Sequence, residues 1–277
     1  MLNVDLHCHS TVSDGLLSPA EIATRAHRNS VDVWALTDHD EVSGVGPARD
    51  VAHSLGLRHV GGVEVSVTWA GKTIHIVGLQ IDETNPALVK GLFDTRNGRE
   101  QRARQMGDML AAVGIPNAYQ GALTYVGNPD LISRTHFARY MVEYGYCRDI
   151  SDVFRNYLVE GKPGFVEHGW ATLGNAVQWI KGAGGVAVVA HPGRYDLTEL
   201  QRGAFLDEFK QLGGTGIEVV TGSHTPDQFD EYAKVALRYG FLASRGSDFH
   251  GPGESTIELG ALPPLAGNLT PVWHDWF

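Results

Sequence analysis

A parallel β/α barrel, short of eight strands and interrupted by a helical insertion, is the fold the sequence predicts. Three observations predict it. Short apolar runs alternate with amphipathic stretches up to about residue 80, and again from about residue 172 to 247. From about residue 86 strand signals become scarce and helical patterning takes over. Strand after strand carries a His, Asp or Glu at or near its C-terminal end, where barrel enzymes gather functional groups from distant parts of the chain.

The elements follow in order. Val4-Asp5-Leu6-His7-Cys8-His9-Ser10 reads as a strand over 2–9, with Asp14-Gly15 just beyond. Alternate side chains of a strand share a face, so His7 and His9 point one way and Cys8 the other. Ser18-Pro19-Ala20-Glu21 is a helix start with Pro in the first turn. A strand at 33–38 leads to His39, and a helix follows near 45–55. Strands near 59–67 and 73–80 carry Glu64 and His75. The insertion reads as helix over 86–113, near 134–145 and over 149–158. The barrel then resumes: helix 173–183, strand 185–190 ending in His191, helix 197–211, strand 216–221, helix 226–239, and strand 242–247 leading to Asp248 and His250. The expected division is 1–85 for the first part of the barrel, 86–165 for a substrate-capping insertion and 166–277 for the second part.

Composition narrows the function. A hydrophobic fraction of 43% over 277 residues fits a folded chain with a sizeable core. No apolar stretch approaches a membrane span, and the first ten residues lack the basic start and apolar core of a signal peptide. Two cysteines, Cys8 and Cys147, make neither a disulfide framework nor a zinc pair, so a cytoplasmic setting is expected. A net charge of −10 argues against broad binding to nucleic-acid backbone. A small anionic substrate then needs a local cluster of cations to override the overall field.

Each candidate has an ordinary explanation when taken singly. Asp14 before glycine fits a turn, and Glu64 or His75 in an apolar run fits a hydrogen-bonded core group. Nine such residues, His7, His9, Asp14, His39, Glu64, His75, His191, Asp248 and His250, would each need a separate explanation. One shared metal cluster accounts for all of them, and imidazole with carboxylate suits zinc, manganese or iron. His27, His53, His59, His168 and His274 fall outside the pattern, Cys8 reads as a core residue, and Lys162 as a solvated loop lysine. Ser133-Arg134-Thr135-His136 opens a helix of the insertion. It reads either as a helix cap or as an anion site of amides, hydroxyls and a guanidinium. Arg194 stands three residues past His191, placed to meet an oxyanion. His224, after the strand at 216–221, is expected at the same mouth. Arg99 and Arg102, with Glu100 between them, read more simply as a helix face than as a distal phosphate site.

Together, His7-Cys8-His9-Ser10 with Asp14-Gly15, Thr37-Asp38-His39, Glu64, His75, Ala190-His191-Pro192 and Ser247-Asp248-Phe249-His250 resemble the polymerase and histidinol phosphatase (PHP) family of metal-dependent phosphoesterases. The resemblance spans residue 1 to about 250. It implies a distorted (β/α)7 barrel and two or three divalent ions, manganese foremost and iron or zinc as alternatives. It also implies that the nine residues are the ligands, with Glu64 bridging. The insertion motif and Arg194 are similar to the branch of ribonuclease AM-like enzymes and nucleoside 3′,5′-bisphosphate phosphatases.

The resulting expectation is hydrolysis of the 3′-phosphate of a nucleoside 3′,5′-bisphosphate. Arg194 and His224 would act at the reacting phosphate. Ser133, Arg134, Thr135 and His136 would hold the other phosphate. A 5′→3′ exoribonuclease on short 5′-phosphorylated RNA is the nearest alternative; Tyr195, Trp170 and Phe137 are its candidate stacking platforms, although core packing is the simpler role for each. A metal-dependent sensor without turnover is the alternative from another class. No DNA, membrane or obligate protein partner is expected.

Overall fold

The computed structural model describes residues 2–276; the outermost residues of the expected first and last segments, Met1 and Phe277, lie outside it. Seven strands form one sheet in sequence order: β1 (Val4–Asp5), β2 (Val33–Leu36), β3 (Arg58–Trp69), β4 (Lys72–Leu79), β5 (Val186–Val189), β6 (Gly216–Thr221) and β7 (Leu242–Gly246). The ring closes where the segment after β1 runs beside the end of β7. The Leu6 amide donates to Arg245 O at 3.0 Å, the Asp248 amide to His7 O at 2.8 Å and the His9 amide to Phe249 O at 2.9 Å. Gly246 permits this approach, since a Cβ there would lie 2.3 Å from His7 Cβ.

The seven-stranded barrel of the expectation is present, but it is not all parallel. β3 and β4 form an antiparallel hairpin, and β4 is antiparallel to β5 as well. The turn between them is short, Ala70-Gly71, with φ of +47° and +76°. A turn that tight returns the chain beside itself and leaves no room for a crossover helix. As a consequence His75 lies toward the start of β4, not its end. Reversal of the strand brings that position to the same mouth as the ends of β1, β2 and β5.

Five helices cover the barrel: α1 (Pro19–Arg28), α2 (Val45–Ser54), and later α8 (Leu173–Gly182), α9 (Glu199–Gln211) and α10 (Pro226–Tyr239). Ser18 caps α1 in a reciprocal capping box with Glu21, as the Ser-Pro-Ala-Glu motif leads one to expect. The stretch expected as one helix over 86–113 is two, α3 (Pro86–Arg96) and α4 (Arg99–Ala112), broken at Gly98 with φ +92°. α3 sends Leu88 and Leu92 into the barrel's main apolar core beside Ile180 of α8. A separate apolar core begins only at Ala103 and runs to Val166, built on Leu110, Phe137, Met141 and Leu158. It is formed by α4, α5 (Ala118–Leu123), α6 (Arg134–Glu143) and α7 (Ile150–Val153), the last continuing into a π-helical turn over Phe154–Leu158. α3 and α8 thus pack on each other at the barrel's flank and carry the insertion. No helix among the described residues is long and apolar enough to cross a membrane.

Candidate metal centre and anion-binding cleft

The nine residues singled out from the sequence converge. Four groups each bring ligand atoms within 4.8 Å of one another: His9, Asp14, His39 and His250; His7, His9 and Asp248; His7, Glu64 and His191; His39, Glu64 and His75. Glu64 belongs to two of them. Its Oε1 lies 2.9 Å from His191 Nε2 and 2.9 Å from His75 Nδ1, and its Oε2 lies 2.9 Å from His39 Nδ1.

Local backbone conformation aims these groups. His191 and Asp248 hold φ of +27° and +55°, a region that costs a non-glycine residue energy and recurs at functional sites. Asp38 fixes the loop after β1. It accepts the Ser10 amide at 2.7 Å and the Ser10 and Ser13 hydroxyls at 2.7 and 2.6 Å. Gly15 is required there, because a Cβ would lie 2.3 Å from His9 O.

The electrostatics suit a cation cluster. Burial pushes His9 and His191 down to about 3, so both rings are neutral at pH 7, the form that can bind a metal. Burial works against the charge on His250 too, but Asp14 outweighs it and lifts the ring to about 9. Burial of Asp14, Glu64 and Asp248 is likewise outweighed by the surrounding imidazoles, which hold all three carboxyls well below the usual range.

Polar atoms on six of the nine residues are buried without a hydrogen-bond partner: His9 Nδ1, Asp14 Oδ1, His39 Nδ1, Glu64 Oε2, His75 Nδ1 and His191 Nδ1. Buried polar atoms are ordinarily satisfied. Such an accumulation of lone-pair donors on imidazole and carboxylate fits divalent ions of the first transition row.

Sequence reasoning missed Glu218, buried in β6. Its carboxylate accepts from His7 Nδ1–H at 2.8 Å and from the His191 amide at 2.5 Å. An acid inside the apolar run Gly216-Ile217-Glu218-Val219-Val220 was the available signal. A carboxylate on the far nitrogen of a ligating imidazole fixes its tautomer and raises its basicity.

The cluster floors a cleft. The insertion supplies the opposite wall: Arg99, Arg102, Ser133, Arg134, Thr135 and Phe154, with Trp170 between the two parts. Arg99 and Arg102, expected as a plain helix face rather than a distal phosphate site, are buried, at 4% and 8% exposure, and line the cleft. Their guanidinium carbons lie 4.6 and 5.4 Å from the centre of the Trp170 ring. Arg99 pairs with Asp40. Arg102 and Arg134 donate only to main-chain carbonyls, of Val166 at 2.9 Å and Leu158 at 3.3 Å, and no carboxylate pairs with either among the described residues. Burial, with neighbouring arginines adding to it, lowers Arg102 to about 9 and Arg134 to about 10. Arg102 is thus a buried cation with no carboxylate bonded to it, a costly arrangement, and the half-buried Arg134 adds its charge beside it. Arg194 stands at the rim, half exposed, donating to Asp248 Oδ2 at 3.0 Å.

Four expected substrate contacts differ. His224 does not reach the mouth. Its Nδ1–H donates to Val219 O at 3.1 Å and its Nε2 accepts the Gly193 amide at 2.9 Å, so both ring nitrogens are spent holding the turn that carries Arg194. His136 is buried in the first turn of α6 itself, where its Nδ1 accepts the Ser133 amide at 3.0 Å in a capping box. Ser133 and Thr135 border the cleft, but their hydroxyls donate to Asp14 Oδ2 at 3.1 and 3.0 Å. Of the three aromatic platforms, Trp170 alone borders the cleft. Phe137 is buried in the insertion core, and the Tyr195 hydroxyl is engaged by the His75 amide and Ala190 O.

The chain is similar to known proteins over most of its length. The PHP domain profile matches residues 5–157. A 3′,5′-nucleoside bisphosphate phosphatase of Chromobacterium violaceum is 48% identical over 275 residues, covering 99% of this chain and 96% of that protein. A 5′-3′ exoribonuclease of Haemophilus influenzae is 42% identical, covering 98% of each. A structure from Bifidobacterium adolescentis, solved as a proposed metal-dependent phosphoesterase, superposes with a TM-score of 0.82 at 27% identity, covering 97% of this chain and 92% of that one.

Proposed function

The chain belongs to the PHP domain family, and on that premise we propose that it is a metal-dependent phosphoesterase that removes the 3′-phosphate of nucleoside 3′,5′-bisphosphates, leaving the 5′-monophosphate. The observation that carries this reading is a nine-residue cluster facing a wall of three arginines across one cleft, Arg99 and Arg102 buried and Arg134 half-buried. One end of the substrate meets the metals, and a second, non-reacting phosphate meets the arginines. The 48% identity to a phosphatase of this specificity supports it.

His7, His9, Asp14, His39, Glu64, His75, His191, Asp248 and His250 hold two or three divalent ions, manganese foremost. Bound there, such ions would supply Lewis acidity toward the phosphoryl oxygens and would acidify a water toward neutrality. Arg194, at the rim beside Asp248, donates to the equatorial oxygens as charge develops. Arg102 and Arg134, with Arg99, hold the remote phosphate and so orient the reacting one. The Trp170 face, backed by two guanidiniums, offers a platform for the nucleoside. Two unbridged cysteines support a cytoplasmic setting.

A second groove favours a further reading, attack on short 5′-phosphorylated RNA. It shares Thr135, Phe154, Arg194, Asp248 and His250 with the main cleft and continues past Ser223, Ser255 and Thr256. The chain of a di- or trinucleotide beyond the reacting phosphate would lie there. An assay with adenosine 3′,5′-bisphosphate and a 5′-phosphorylated dinucleotide, with and without Mn²⁺, tests both readings. Phosphate release from the bisphosphate that depends on Mn²⁺ is expected. No release from either substrate, with metal analysis showing no bound ion, overturns them.

A further inference from the structure

Asp14 is held from outside the barrel. Its two carboxylate oxygens are divided. Oδ1 faces the imidazoles, 3.4 Å from His250 Nε2, 3.9 Å from His39 Nε2 and 4.0 Å from His9 Nδ1. Oδ2 faces the insertion and accepts the hydroxyls of Ser133 and Thr135, the N-cap and second residue of α6. One turn further along α6, buried Arg139 donates to the Asp14 main-chain carbonyl at 2.6 Å. The same guanidinium forms two bonds to Glu254, at 2.7 and 2.8 Å. Glu254 lies on the loop that carries His250, whose amide is fixed by Ser255 Oγ at 2.8 Å. One helix of the insertion therefore grips the two loops that deliver Asp14 and His250. The group of His7, Glu64 and His191 is oriented differently, by Glu218 from within the barrel.

We infer that the centre has two unequal parts, one formed by the barrel alone and one, around His9, Asp14, His39 and His250, that takes its ion only when α6 is docked. Ser133, Thr135 and Arg139 are positioning residues for that second part. They turn Oδ1 inward and hold the loop that carries it. This assignment rests on the metal-ligand reading above. It adds a coupling: an ion in the second part favours the docked insertion as strongly as docking favours the ion. The arginine wall rides on the same insertion, so loading of that part also sets the wall opposite the metals.

Thr135→Val tests the coupling. It keeps the side-chain shape and removes the hydroxyl that meets Asp14, while Thr135→Ser keeps the hydroxyl. The measurements are Mn²⁺ binding to full-length protein, read by electron paramagnetic resonance with elemental analysis, and amide hydrogen exchange over residues 99–166 with and without Mn²⁺. The expected result is that Thr135→Val weakens one equivalent of Mn²⁺ by tenfold to a hundredfold and leaves the other binding as in the wild type. Mn²⁺ should slow exchange in α6 of the wild type and of Thr135→Ser, but not of Thr135→Val. Wild-type affinity of every equivalent in Thr135→Val overturns the inference, and so does uniform weakening of all equivalents. A wild-type protein that binds no Mn²⁺ overturns the metal-ligand reading and this inference with it.

Discussion

Glu218 and His7, 211 residues apart in sequence, meet at 2.8 Å in the buried interior of the barrel. The carboxylate accepts from Nδ1–H, which leaves Nε2 of His7 turned toward Glu64 and Asp248. The same carboxylate holds the His191 amide, so one side chain positions two of the nine clustered residues.

Glu218→Gln keeps the shape and removes the charge. It should weaken metal binding by roughly tenfold to a hundredfold without altering the substrate wall. Competition with a chelator of known affinity checks this. Unchanged affinity would show that Glu218 is only a buried structural acid.

The arginines should separate by substrate. Arg134→Ala should lower kcat/KM for a 3′,5′-bisphosphate by about thirtyfold, corresponding to about 2 kcal/mol for one charge-assisted contact in a desolvated site. Metal content should stay as in the wild type. Arg102→Ala should act the same way, because its guanidinium also lacks a carboxylate partner. A 3′-monophosphate substrate, lacking the remote phosphate, should react poorly with the wild type and lose little more in either variant. Arg194→Ala should slow both substrates alike. Steady-state kinetics of the three variants on the two substrates decides the matter.

Stability without metal should peak near pH 6.5. His9 and His191 are held at about 3 against an ordinary 6.5, so the unfolded chain binds more protons below about pH 6.5 and stability falls on acidification. His250 is held at about 9, so the folded chain binds the extra proton between about pH 6.5 and 9. The stabilisation it gains from Asp14 is complete below 6.5 and is lost as pH rises through 9. Thermal unfolding in the presence of a chelator, followed across pH 5 to about 9.5, measures this. Added Mn²⁺ should reverse the alkaline limb, since ions compete with the His250 proton and bind more tightly as it leaves. His250→Gln should shrink the alkaline limb without abolishing it, because neighbouring carboxylates also raise His7 and His39; an undiminished limb would assign the whole effect to those groups.

The site was legible in the sequence to the extent that it is made of residue types with few other uses in apolar strands. His7 and His9 on one strand face, and Asp248 and His250 beyond another, announce themselves by spacing alone. The direction of β4 was not legible. Periodicity marks a strand but not its partner, and only the short Ala70-Gly71 turn pointed to a hairpin. The place of Arg99 and Arg102 in the cleft was not legible either, because Glu100 between them suggests an ordinary helix face. On a helix adjacent residues point in different directions, so Glu100 says nothing about the face of its neighbours. His224 and His136 sit where a functional histidine would be expected in sequence, yet each is consumed by main-chain groups, a fate that only the folded backbone reveals.

The reversed direction of β4 reaches beyond the site. Leu79, the last residue of β4, is the register partner of Val186, the first residue of β5. Everything between them, both flank helices and the whole insertion, is in topological terms the loop of a hairpin. Loop closure costs only about 0.6 kcal/mol for each doubling of length, so the strand order places little restriction on how long that loop is or what it contains. The same barrel can therefore exchange one covering segment for another during evolution and acquire a new substrate wall. What it must retain in the exchange is a pair of hydroxyls, or their equivalent, to meet Asp14.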